Sequence, residues 1–126
     1  MRIFLPNILF SALSCLAVVL AGQRRGNLIQ QAPAKALALI NPYQRDPRAR
    51  RAGSKLYERE CASCHGPNAQ GCGKAPALDQ PRVFEAPPGA LFWVLRNGSL
   101  RRGMPSFAHL PEAQRWQIVT YIGNLR

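Results

Sequence analysis

Residues 61–65 read Cys61-Ala62-Ser63-Cys64-His65, the C-x-x-C-H spacing that attaches a haem covalently through two thioethers and offers a histidine to its iron. On a helical turn, positions i, i+3 and i+4 share one face, so both thiols and the imidazole can meet one flat macrocycle. Other uses of these residues have weaker support. Cys61, Cys64, His65 and Cys72 are all zinc-ligating types, but structural zinc sites usually present two separated pairs rather than one tight cluster. A C-x-x-C redox couple needs a strand-helix-strand setting, and no alternating apolar strand precedes Cys61.

Upstream of the motif the chain carries an export layout. Arg2 is followed by an apolar stretch over residues 8–21, interrupted only by Ser11 and Ser14 and ending in Val19-Leu20-Ala21 before Gly22. A short basic region, an apolar region and small residues at its end make a secretory signal, with cleavage expected after Ala21. An uncleaved anchor is the competing reading. The stretch falls short of the ~20 residues that span a bilayer, and Arg24 and Arg25 lie on the wrong side for that orientation. Cys15 follows Ala12-Leu13-Ser14, a poor lipobox, and the apolar region runs on past it. Cleavage removes Cys15. Cys72 is then the odd thiol in an oxidising compartment, set in Gly71-Cys72-Gly73, and is read as a small residue filling that loop.

The net charge of +11 is unevenly distributed. Residues 22–52 hold Arg24, Arg25, Lys35, Arg45, Arg48, Arg50 and Arg51 against Asp46 alone. The segment 22–47 mixes Gln, Ala, Pro and Arg with no sustained period, apart from a short helix expected near 34–40. It reads as a basic leader or tether, mostly disordered, whose charge suits a membrane surface of anionic lipid or an acidic partner. Nucleic acid is not expected as a partner of an exported haem protein that lacks aromatic spacing in its basic segment.

The remaining chain, 48–126, is expected to form one small all-α domain. Asp46-Pro47 caps and starts a helix that runs to about Cys61, with Gly53 and Tyr57 on one face. Residues 66–88, rich in Gly, Pro, Asn and Gln, read as loop. Leu91, Val94, Leu95 and Gly98 recur at helical spacing, so 89–97 is a helix stopped by Asn97-Gly98. The last helix starts at Pro111-Glu112, with Ile118, Tyr121, Ile122 and Leu125 on its apolar face. A core this small is marginal by itself, and a buried haem supplies the apolar body it packs around.

The iron needs a second axial ligand. Met104 and His109 are the candidates downstream of the motif. Met104 sits in Gly103-Met104-Pro105, where glycine permits close approach and proline fixes the turn. His109, just before Leu110-Pro111, is expected at the surface or as a capping residue.

Taken together, Gly53-x-x-x-Tyr57, Cys61-x-x-Cys64-His65-Gly66, Ala75-Pro76-Ala77-Leu78, Gly103-Met104-Pro105 and Ile118-x-x-Tyr121 resemble a class I c-type cytochrome of the single-haem bacterial periplasmic kind. The resemblance covers about 53–125. It implies a small cytochrome c fold of short helices and Gly/Pro loops wrapped around one haem c, with Cys61 and Cys64 as thioether attachments and His65 and Met104 as axial ligands of the iron. It also implies that the first and last helices cross at right angles and that the Pro76 carbonyl accepts from the Nδ1–H of His65, fixing the ring tautomer. Cys72 departs from the family pattern, and residues 22–47 have no counterpart in its core.

With both axial positions filled there is no open site for substrate, so the expected function is one-electron transfer, not catalysis. An apolar wrap of Leu78, Leu91, Phe92, Leu95, Phe107 and Val119 is expected to keep water from the iron and, with the soft thioether, to raise its reduction potential. Redox protein partners are expected to meet the haem edge in a small transient contact, with Arg101 and Arg102 on its rim favouring an acidic surface. The competing function is small-ligand binding or peroxidase activity at an iron whose methionine is weakly held. Free carrier and subunit of a larger redox complex are both compatible with the residues.

Overall fold

A computed structural model describes residues 27–73 and 75–126. The expected export signal at 1–21 and the leader residues 22–26 lie outside them. Among the described residues there is no strand. The extended pairings are two isolated bridges, Cys72 with Ala75 and Ser99 with Met104.

The first long helix, α2 (Pro47–Glu60), follows a single-turn helix α1 (Ala34–Leu37). Asp46 starts α2 as read from the sequence: its carboxylate accepts the N–H of Arg48 at 2.8 Å, and Pro47 occupies the first turn, where no N–H is needed. Ala49, Gly53, Leu56 and Tyr57 form the buried stripe, and the arginines face water. α3 (Ala62–His65) follows directly, then α4 (Pro81–Phe84), α5 (Pro88–Asn97) and α6 (Glu112–Ile122).

The main contact in the domain is between α2 and α6. Gly53 is where they touch: a Cβ there would run into the carbonyl of Gln117 and stand 3.0 Å from the Cβ of Tyr121. Four residues on, the rings of Tyr57 and Tyr121 pack tilted at 5.2 Å. α5 packs on the other side of α6, with Phe92 stacked on Trp116 at 4.0 Å. The guanidinium of Arg115, itself buried, lies 4.8 Å from the centre of the Phe92 ring. Leu91, Phe92, Leu95, Phe107 and Val119 belong to this core, and Leu78 packs against it half-buried.

Two expectations are corrected. Within 66–88 the chain is not loop throughout, because Pro81 starts the helical turn α4, whose Val83 is buried in the core. The reading of a mostly disordered arm also fails for residues 27–46. A 3-10 turn at Leu28–Gln31 and α1 both pack on α5. Ala32 and Ala36 are buried against Ala90, and Gly89 lies so close to the Ala36 carbonyl that a Cβ would overlap it. Asn41 is buried, its amide donating to the Thr120 hydroxyl of α6 at 2.9 Å. Small side chains and a backbone-to-backbone contact hold the arm, so it needs no long apolar period.

Candidate haem site

The site begins where α2 ends. Cys61 N–H donates to Tyr57 O at 2.8 Å, completing α2, and the Cys61 carbonyl accepts from Cys64 N–H at 3.1 Å and His65 N–H at 2.9 Å, opening α3. One residue thus closes one helix and starts the next, which keeps Cys61, Cys64 and His65 on contiguous backbone. Gly66 then leaves the helix at φ 85, a conformation costly for any residue with a Cβ. Its carbonyl accepts the Tyr57 hydroxyl at 2.8 Å.

Below the motif the loop folds back. Gly71 N–H donates to His65 O at 2.7 Å. Gly71, at φ 85, lets the chain at Ala77 pass close, since a Cβ would stand 2.8 Å from Ala77 N. Pro76 O thereby comes to 2.8 Å from His65 Nδ1. A backbone carbonyl only accepts, so Nδ1 is the nitrogen that carries a proton here, and in the neutral ring the lone pair that a metal takes is then on Nε2.

The thiols differ in surroundings. Cys61 is in the core, and burial, with smaller contributions from the Glu60 and Cys64 charges, pushes its thiol up to about 12. Cys64 is exposed. Cys72 is exposed too, not tucked into its glycine loop. Among the described residues no group of three or more His, Cys, Asp and Glu side chains is placed to hold a metal ion, so Cys61, Cys64, His65 and Cys72 do not form a four-ligand zinc cluster.

Met104 lies in the segment between α5 and α6, its side chain half-buried against the core. Its backbone pairs with Ser99 in both directions, at 2.8 and 3.1 Å. His109 is exposed, its ring 6.1 Å from that of Phe107. Two thiols on one turn, an imidazole whose Nδ1 is held by a backbone carbonyl, a thioether from a separate loop and an apolar core are a donor set that fits haem.

The family described as cytochrome c oxidase, cbb3-type, subunit III matches residues 48–122. The chain belongs to this family of c-type cytochrome domains. This cytochrome therefore carries covalently bound haem c with its iron and transfers electrons. No curated protein and no solved structure matches the chain. Among the described residues no helix of this cytochrome is long and apolar enough to cross a membrane. The sequence reading passed over Ser106, whose hydroxyl donates to the Arg96 carbonyl at 2.6 Å, and the buried Asn41. A lone serine or asparagine between helices carries no periodic signal.

Proposed function

We propose that this cytochrome passes single electrons between protein partners in the bacterial periplasm, with Cys61 and Cys64 as the thioether attachments and His65 and Met104 as the axial ligands. Residues 1–21 act as its export signal and residues 48–126 as its haem domain. The observation that carries the reading is the bond from His65 Nδ1 to Pro76 O at 2.8 Å. It fixes the ring with Nε2 outward and makes that nitrogen more basic, as a permanent axial ligand requires.

Bound haem supplies an Fe(III)/Fe(II) couple at a single site. The protein's part is to hold two ligands through both oxidation states and to keep water away. Pro76 and the Gly66 and Gly71 turns orient His65, the loop after α5 delivers Met104, and Leu78, Leu91, Leu95 and Phe107 wall the site with apolar surface. A soft thioether and a dry wall both favour the reduced, less charged iron and raise the potential.

Arg101 and Arg102 are exposed on the turn that precedes Met104, which supports an acidic partner surface meeting the haem edge there. The family's description as an oxidase subunit supports a role as the cytochrome of a redox complex. The basic segment leading into α2 supports association with anionic membrane lipid.

The test is the absorption spectrum of the oxidised protein with haem attached. The weak far-red band of sulfur-to-iron charge transfer is expected, and is expected to vanish in Met104→Ala. Attached haem without that band would replace Met104 as ligand.

A further inference from the structure

The segment that carries Met104 is stitched to the end of α5 on both sides of the methionine. The last carbonyls of a helix lack intrahelical partners, and α5 gives two of them to the returning chain. Phe107 N–H donates to Leu95 O at 2.8 Å, and the Ser106 hydroxyl to Arg96 O at 2.6 Å. The same Ser106 oxygen accepts Ala108 N–H at 3.2 Å. On the near side, Ser99 and Met104 close the hairpin 99–104 over the 3-10 turn Leu100–Arg102, with Gly103 left-handed at φ 76. Gly98, at φ 61, lets the two sides meet: a Cβ there would stand 2.5 Å from the carbonyl of Pro105 and 2.7 Å from Ser106 N.

We propose that Gly98 and Ser106 are positioning residues that hold Met104 in a single place, and so decide whether the sixth position of the iron is shut by the thioether or open to a small exogenous ligand. This rests on the reading of Met104 as axial ligand. A thioether is a neutral donor, and its hold depends on how little chain must be ordered to deliver it. Leu95 is buried in the core, and Arg96 and the cap residue Gly98 follow it directly on the backbone, so the anchor is a helix end fixed by one core side chain. The residues adjoining Met104 on both sides inherit that constraint.

The experiment is an imidazole titration of the oxidised holoprotein, followed by loss of the far-red band, in the parent and in Ser106→Ala, Ser106→Thr, Gly98→Ala and Asn41→Ala. Ser106→Ala is expected to bind imidazole roughly three- to tenfold more tightly, the range set by losing one hydrogen bond that held the competing methionine, and Gly98→Ala, whose methyl group meets the Pro105 carbonyl, is expected to tighten it in the same direction. Ser106→Thr keeps the hydroxyl and is expected to return the affinity to the parent value. Asn41→Ala loosens the arm on α6, away from this loop, and is expected to leave imidazole affinity unchanged. Should Gly98→Ala fail to fold, the Ser106 pair decides alone. A parent band that is lost in Met104→Ala, together with parent-like imidazole affinity in the loop variants, removes the positioning role and leaves the ligand in place. Equal tightening in Asn41→Ala reduces the effect to general destabilisation and also overturns the proposal. An absent band in the parent removes the axial role of Met104 and the proposal with it.

Discussion

The hydroxyl of Tyr57, in the first long helix, donates to the carbonyl of Gly66 at 2.8 Å, one residue past His65. The bond ties the helix to the point where the chain leaves the haem motif. Both residues are buried, and the Gly66 carbonyl keeps the Ala69 N–H at 3.1 Å as a second donor, so Tyr57→Phe removes one hydrogen bond without stranding an acceptor and is expected to cost about 0.5–1.5 kcal/mol in denaturant unfolding. It also has a pH signature. Burial holds the Tyr57 hydroxyl well above the ordinary tyrosine range. Its stabilising contribution is therefore complete below the unfolded value of about 10 and declines as pH rises beyond it. Stability of Tyr57→Phe should fall less steeply in that alkaline window.

Gly53 sets the distance between α2 and α6. Because a methyl group there meets the Gln117 carbonyl, Gly53→Ala is expected to push the helices apart and cost about 1–3 kcal/mol, despite alanine being the better helix former. An unchanged or raised unfolding midpoint would show that the two helices part to admit a methyl group without loss.

The arm, residues 27–46, packs on the haem domain, and two substitutions should show it. Asn41→Ala removes the bond to Thr120 and the acceptor for Tyr43 N–H, an expected loss of about 1–3 kcal/mol. Gly89→Ala overlaps the Ala36 carbonyl and should lift α1 from α5. Limited proteolysis should then cut within residues 27–46 faster than in the parent, with the haem spectrum retained.

Asp46 starts α2, and its carboxyl is held below the usual range, chiefly by the Arg48 N–H and then by the Arg48 side chain. With the folded value lowered, the contribution is present above the unfolded pKa and is lost as pH falls through the folded one. Asp46→Asn keeps a capping oxygen but cannot titrate. Its stability is expected to depend less on pH below about 4 in acid unfolding curves.

Much of this was readable from local spacing. Asp46-Pro47 marked the start of α2, Asn97-Gly98 the end of α5 and Pro111-Glu112 the start of α6, because caps and breakers act within a few residues. The short helix α4 and the burial of residues 27–46 were not readable, since both depend on contacts with distant elements. Ala36 has no partner in the sequence near it, and Gly89 becomes its partner only once α5 is in place.

The sequence by itself determined that the chain is an all-α haem protein: C-x-x-C-H, the helix periods and one downstream methionine in a Gly/Pro turn are local patterns with few chemical uses. Only the tertiary structure decided how the donors are held. Pro76 meets His65 because two glycines turn the loop back, and Ser106 meets Arg96 because a helix end offers a carbonyl with no intrahelical partner. Such bonds join residues far enough apart that no period records them, and they exist only when packing brings a spare acceptor to a donor.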